Sequence, residues 1–134
     1  MFLIDSDVLS ALRKRQRSPK LISWIAGQRD ADLFLCVITI AEIERGIAQA
    51  AKADPKFSED LSRWLDRILE HYGDRILPFD LHAARRFGTL SARIGNDSPD
   101  LMIASIALDR GLTVATRNIR HFEPTGVATL DPMA

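Results

Sequence analysis

This sequence has little that would cross-link it or anchor it in a membrane. Its single cysteine, Cys36, excludes an intramolecular disulfide, and with three scattered histidines no Cys/His cluster is spaced for zinc. No apolar run approaches the roughly 18 residues that span a bilayer. The N-terminus enters a strand pattern at once, with no basic region before it. We therefore expect a cytoplasmic protein that makes no use of a membrane.

The chain also lacks net charge. Its 18 Lys and Arg balance 18 Asp and Glu, so bulk charge will not hold it on nucleic acid, and any RNA contact must be local. The basic residues are fourteen Arg and only four Lys, and the planar guanidinium group of Arg binds phosphate through two hydrogen bonds. One basic cluster consists of Arg13, Lys14, Arg15, Arg17 and Lys20. It is either a solvated helix end or a guide for a polyanion.

Length and composition fit one ordinary soluble domain, residues 1–134. The chain is 46% hydrophobic and 27% charged, as in average globular proteins. Strand-like apolar runs at 2–4, 33–37, 76–77, 112–115 and 127–130 alternate with helical patterns. This alternation predicts an α/β fold, a small three-layer sandwich with a mostly parallel sheet flanked by helices.

Local signals place several helix ends. Thr39 and Glu42 have the spacing of a capping box, which predicts that a helix begins at Thr39 and runs to Ala53. An apolar stripe at steps of three and four predicts an amphipathic helix that ends before Gly73. Ser98 is the expected cap of a further helix, one apolar almost all round and therefore buried.

Three acidic residues each follow a short apolar or turn segment. Asp5 follows the first strand, Glu42 follows the strand at 33–37, and Asp100 follows Ser98 and Pro99. The carboxyl ends of parallel strands lie along one sheet edge, where open α/β folds bind ligands. Clustered carboxylates raise each other's pKa unless a cation lies among them, and Mg²⁺ bound by oxygen ligands performs phosphoryl chemistry.

Each acid also has a purely structural explanation, because carboxylates near a helix N-terminus stabilise it by about 0.3 to 1 kcal/mol. Glu42 is explained equally well as part of the capping box, and Asp100 as an acid in a first turn. Asp5 is hardest to explain this way, since Ser6 or Asp7 is the better-placed cap for the first helix.

Four further residues are candidate accessories to the acids. Asn118 and His121 follow the strand at 112–115 and would reach the same edge. Asn118 either completes a metal's water network or caps a turn, and His121 is a proton carrier, an RNA contact or a surface residue. Thr39 either hydrogen-bonds the carboxylates or only caps its helix. Asp7 adds a fourth carboxylate near Asp5.

Four segments in this order resemble the PIN domain, and within it the VapC-type toxins of bacterial toxin–antitoxin pairs. The segments are Phe2-Leu3-Ile4-Asp5-Ser6-Asp7-Val8-Leu9, Ile38-Thr39-Ile40-Ala41-Glu42-Ile43-Glu44-Arg45-Gly46, Asp100-Leu101-Met102-Ile103-Ala104, and Leu112-Thr113-Val114-Ala115-Thr116-Arg117-Asn118 with Phe122-Glu123. The resemblance implies a ribonuclease that depends on Mg²⁺ or Mn²⁺, is inhibited by a cognate antitoxin, and is usually a homodimer.

The same resemblance assigns roles to residues. Asp5, Glu42 and Asp100 match the family's acidic catalytic centre, with Asp5 and Asp100 as the expected metal ligands. Two positions depart from the family pattern. Asp7 stands where the family commonly has Asn, and His121 stands where relatives often have the fourth acid, which bears on whether one metal or two are held.

Two other functions compete with the nuclease. A haloacid-dehalogenase-like phosphatase would share the Asp-x-Asp pattern of Asp5 to Asp7, but it needs a lysine late in the chain, and the last lysine here is Lys56. A catalytically weak or inactive binding module would work only through a protein partner. An antitoxin generally lays an amphipathic segment into an apolar groove, and the helix at 59–72 with the early helices either lines such a groove or carries only a core stripe. Trp24 and Trp64 match helical core stripes.

Overall fold

The computed structural model describes residues 1–14 and 18–134. In this part of the chain five strands alternate with seven α-helices. The strands are β1 (Phe2–Ile4), β2 (Leu33–Cys36), β3 (Ile76–Leu77), β4 (Thr113–Ala115) and β5 (Thr129–Leu130). The helices are α1 (Ser6–Arg13), α2 (Pro19–Ala26), α3 (Val37–Ala53), α4 (Pro55–Tyr72), α5 (Leu81–Ile94), α6 (Pro99–Arg110) and α7 (Ile119–Phe122).

The strands form one sheet in the order β3-β2-β1-β4-β5, and every neighbouring pair is parallel. The expected mostly parallel sheet is therefore entirely parallel within the described strands. β1 lies at the centre, with Leu3 opposite Phe34 of β2 and Val114 of β4. The chain builds one half of the sheet through β3 and then returns to the other side of β1, so a topological switch point lies between β1 and β4.

The two faces of the sheet carry separate hydrophobic cores, which makes the predicted three layers. Leu3 and Val114 point to one face, where they pack with Ile103 and Ile106 of α6. Ile4 points to the other, with buried residues of the first helices and of α4. Because successive strand residues alternate between faces, even the three-residue β1 contributes to both cores.

The helix expected to begin at Thr39 begins two residues earlier. β2 ends at Cys36, and α3 starts at Val37, so Thr39 lies inside the first turn, fully buried. Its hydroxyl is 3.7 Å from the Cys36 thiol. The capping-box prediction was wrong: Cys36 is the N-cap of α3, no side chain caps the helix there, and Thr39 is buried inside the first turn.

Side-chain and backbone caps define the ends of α5, but not the start of α6. Asp80 accepts a hydrogen bond from the Ala83 amide at 2.9 Å and caps α5, and Gly95 ends that helix in the left-handed conformation. Ser98 occupies the N-cap position of α6, but its side chain makes no capping hydrogen bond there, contrary to expectation. None of the described helices is long and apolar enough to cross a bilayer. Of the basic cluster, Arg15 and Arg17 lie outside the described residues.

Candidate active site

The carboxyl ends of the three central strands converge at one sheet edge, next to the switch point. Asp5 directly follows β1, α3 directly follows β2, and Thr116 directly follows β4. The Asp5 amide donates to the Ala115 carbonyl at 3.0 Å, which fixes the two strand ends side by side. Residues far apart in sequence therefore meet here.

Asp5 is the most buried of the acids, with 3% of its surface exposed. One carboxylate oxygen, Oδ1, accepts from the Ser6 amide at 2.8 Å, and Oδ2 accepts from the Thr116 hydroxyl at 2.9 Å. Burial raises its pKa to about 6, with a further contribution from the charge of Asp7. Asp5 is itself the N-cap of α1, so the expectation that Ser6 or Asp7 would cap that helix was wrong.

Glu42 approaches the same place from the second turn of α3. Its Oε1 atom is buried and has no hydrogen-bond partner among the described residues. Burial, and after it the charges of Asp5, Asp100 and Asp7, together raise the pKa of Glu42 to about 7. These couplings show that the structure brings together the three acids singled out from the sequence.

Asp100 is in the first turn of α6 and is paired with a residue of α7. Its Oδ2 atom is 3.0 Å from Nδ1 of His121. The Asp100 side chain is 25% exposed and the His121 side chain 61%, so the pair is on the open side of the cluster. His121 is therefore a neighbour of the acids and not an isolated surface residue.

Asp7 ties α1 to the segment after β4. Its Oδ2 atom accepts from the Arg117 amide at 3.0 Å, and its Oδ1 atom accepts from the Val8 amide at 2.7 Å. Burial raises the pKa of Asp7, while the hydrogen bonds from Arg117 and Val8 lower it. With both oxygens engaged by backbone amides, Asp7 holds two parts of the site together.

Thr116 is a site residue that the sequence analysis missed. Its hydroxyl donates to Asp5 and accepts from the Asn118 amide at 3.0 Å. A polar residue directly after the apolar run at 112–115 was the available signal. The Asn118 side chain caps no helix here, and Thr39 contacts Cys36 and not the carboxylates.

The donor set fits a hard divalent cation. The carboxylates raise each other's pKa, and a buried Glu42 oxygen lacks a hydrogen-bond partner. The cluster therefore lacks a compensating positive charge. Among the described residues, no three acidic, His or Cys side chains already form a metal-binding group. A cation would thus complete its coordination with water or substrate oxygens, as Mg²⁺ does in phosphoryl-transfer sites.

A groove of about 430 Å³ lies between α1, α3 and α4, and Glu42 is the one acid of the site that lines it. Phe57 and Trp64 line its apolar wall. The guanidinium of Arg13 stacks over Phe57 and Trp64, at 5.5 and 5.9 Å from the ring centres. Trp24 instead packs edge-on against Phe2 at 5.0 Å. Of the two alternatives for the helix at 59–72, the structure shows the groove.

Comparison with known proteins gives one family. Residues 2–126 match the family model described as PIN domain. A VapC ribonuclease, Y4jK of Sinorhizobium fredii, is 32% identical over 98% of this chain and 97% of its own length. Toxin FitB of Neisseria gonorrhoeae is 29% identical over 98% of each chain. The crystal structure of FitAcB from Neisseria gonorrhoeae superimposes with a TM-score of 0.86 at 30% identity, covering 98% of both chains.

Proposed function

The chain belongs to the PIN-domain family, and we propose that it is a metal-dependent endoribonuclease, the toxin of a toxin–antitoxin pair, with Asp5, Glu42 and Asp100 as its catalytic residues. The observation that carries the proposal is the coupled acidic cluster at the switch point, which holds a buried oxygen without a partner. Related chains are named as a ribonuclease and a toxin, in agreement with this assignment.

Asp5 and Asp100 would hold the cation. Mg²⁺ is the expected ion, with Mn²⁺ as the alternative, because all three acids offer hard oxygen ligands. When bound, a divalent ion polarises a phosphoryl oxygen and lowers the pKa of a coordinated water. Asp5 is pre-oriented for this role, since the Ser6 amide and the Thr116 hydroxyl fix both of its oxygens.

Glu42 is the proposed general base. A base works best when its pKa lies near the working pH, and the pKa of Glu42 is about 7. Its carboxylate would accept a proton from the water that attacks the RNA phosphorus; the bond from phosphorus to the leaving oxygen then breaks, and the leaving oxygen takes up a proton from solvent. The net result is hydrolysis of one phosphodiester bond.

The test is cleavage of a panel of structured RNAs by the purified protein, with Mg²⁺, with Mn²⁺ and with a chelator. We expect cleavage that is lost on chelation and lost in Asp5→Asn. A matched control is Asp66→Asn, which changes an exposed carboxylate on α4. RNA left intact by the wild-type protein under all conditions would support the competing view, a binding module that acts only through its partner.

The antitoxin partner would occupy the groove along α1, α3 and α4. Its apolar wall suits an amphipathic segment, and Glu42 in its lining suits a basic side chain on that segment. Such a segment would also block access of RNA to the acids, which explains how binding neutralises the toxin. We further propose that the protein acts in the cytoplasm as a homodimer.

A further inference from the structure

Helix α5 carries basic side chains and no acidic one. Its sequence includes three arginines and one histidine, but neither Asp nor Glu. The basic residues and Thr89 are exposed, and they lie three, four, seven and eleven positions after His82, so they share one face of the helix. Another face buries Ala83 and Leu90. We call the exposed face the α5 stripe; it consists of His82, Arg85, Arg86, Thr89 and Arg93.

The arginines of the α5 stripe are not neutralised by carboxylates. Among the residues that the structure describes, none of the three forms an ion pair, whereas Arg63 on α4 is paired with Glu59 and Asp60. One acid, Asp109 of α6, lines a surface cavity of about 340 Å³ together with four residues of the stripe. A chain with no net charge therefore concentrates unpaired positive charge on one helix.

The α5 stripe leads towards the catalytic edge of the sheet. Helices α5 and α6 pack against each other, and Arg93 near the end of α5 precedes Asp100 of α6 by seven residues. The loop between these helices lines a second surface cavity, of about 490 Å³, together with Asp100, Arg120 and His121. At 1.5 Å per residue, the stripe is about 17 Å long, which gives an extended ligand several points of contact.

We propose that the α5 stripe binds the sugar–phosphate backbone of the RNA substrate and, with Arg120 in the cavity beside Asp100, guides the strand to the acids. This inference rests on the proposed nuclease function and adds the path of its substrate. Charge complementarity favours RNA as the occupant, because arginines without acidic neighbours on their own helix suit a polyanion and bind phosphate through two hydrogen bonds. The stripe shares no residue with the groove between α1, α3 and α4.

The test is fluorescence anisotropy of labelled single-stranded RNA with the full chain, at a series of salt concentrations and with a chelator to prevent metal-dependent cleavage. The double variant Arg86→Gln/Arg93→Gln should bind at least about tenfold more weakly at low salt, and the slope of log affinity against log salt should fall by about 1, because phosphate contacts are lost. The matched control, Arg63→Gln/Arg67→Gln, removes the same charge from exposed arginines of α4 and should change the affinity by less than about twofold.

Cleavage kinetics provide the second readout. In the presence of Mg²⁺, Arg86→Gln/Arg93→Gln should raise KM for a long RNA and leave kcat unchanged, since the stripe does not touch the reacting phosphate. For an RNA dinucleotide, which is too short to reach the stripe, KM should not change. All the substituted side chains are exposed, and circular dichroism checks that both variants fold.

The outcomes separate this inference from the proposed function. If the wild-type protein cleaves RNA but the double variant binds RNA with the same affinity and the same salt slope, the stripe is refuted and the nuclease proposal stands. If RNA binding depends on the stripe but no metal supports cleavage, the nuclease proposal fails and the stripe stands as an RNA-binding surface. A double variant that loses only self-association in sedimentation experiments, and keeps its RNA affinity, would assign the stripe to a contact between copies of this chain and overturn the proposal.

Discussion

Thr116 donates its hydroxyl hydrogen to Oδ2 of Asp5 across 2.9 Å, although the two residues are 111 positions apart in sequence. Both side chains are buried, Thr116 fully and Asp5 at 3% exposure. A hydrogen bond to an ionised carboxylate in such a place is stronger than one between neutral groups. Thr116 therefore holds Asp5 in orientation and lowers its pKa against the effect of burial.

Thr116→Val should lower the rate of RNA cleavage by about tenfold and destabilise the fold by about 1 to 3 kcal/mol, because the Asp5 oxygen loses its donor. Thr116→Ser keeps a hydroxyl and is the matched control. Cleavage kinetics and urea unfolding measure the two effects. Equal cleavage rates for the Val and Ser variants would show that the hydroxyl does not position Asp5.

The metal-free protein should lose stability as the pH rises. Asp5 has a pKa of about 6 in the folded protein and 3.8 in the unfolded chain, so folding takes up a proton between these values. The free energy of unfolding should fall by about 2 kcal/mol from pH 4 to pH 6 and by up to about 3 kcal/mol in all, and Glu42 acts in the same direction up to about pH 7.

Urea unfolding at a series of pH values, with a chelator present, measures how the free energy of unfolding changes with pH. Asp5→Asn should flatten this dependence and make the metal-free protein more stable near pH 8, because the buried charge is gone. Saturating Mg²⁺ should restore stability at pH 8 and have little effect at pH 4.5, where protons compete with the ion. A slope unchanged by Asp5→Asn would assign the effect to other groups.

Glu42→Gln should cut the rate of RNA cleavage at pH 7 by at least about 100-fold, since an amide cannot accept the proton of the attacking water. In the wild-type protein the rate should rise with pH as Glu42 loses its proton, around or below its metal-free pKa of about 7. Cleavage rates of the wild-type protein and of Glu42→Gln at saturating Mg²⁺, from pH 5 to 8.5, measure the loss of activity and the pH dependence. A steep pH dependence retained in Glu42→Gln would assign the base to another residue.

Gly46→Leu should weaken binding of the antitoxin at least about tenfold, because it fills the groove along α3. A Cβ atom at Gly46 meets no other atom within 4 Å, so the fold should tolerate the change. Gly88→Leu is the matched control, an equally open glycine on α5 away from the groove. Affinity for the coexpressed antitoxin measures the effect. Similar affinities in the two variants would place the partner on another surface.

Much of this fold followed from the sequence because each element carries a local signal. Apolar runs indicated all five strands, a helix ended before Gly73 as expected, and the alternation of elements predicted the layered α/β architecture. The predicted ends of three strands differ from the observed ends by one or two residues, because pairing with neighbouring strands determines where a strand ends. The start of α3 was missed because no side chain caps that helix, and Thr39 is buried inside its first turn.

Proximity of the acids was also predictable, since parallel strands bring their carboxyl ends to one edge. The hydrogen-bond partners of the individual acids could not be predicted from the sequence. The bond from Thr116 to Asp5 and the contact of His121 with Asp100 depend on the register of β4 and the path of α7, which sequence spacing does not encode. Asp5 caps α1 and also faces the cluster, so its structural and catalytic explanations are compatible.

The central position of β1 has a consequence for the timing of synthesis. β1 is synthesised well before β4, with which it pairs, and Thr116, the donor to Asp5, directly follows β4. A growing polypeptide therefore holds only an unfinished catalytic centre until almost the whole chain has emerged. A nascent chain that still lacks β4 and Thr116 is therefore expected to cleave no RNA.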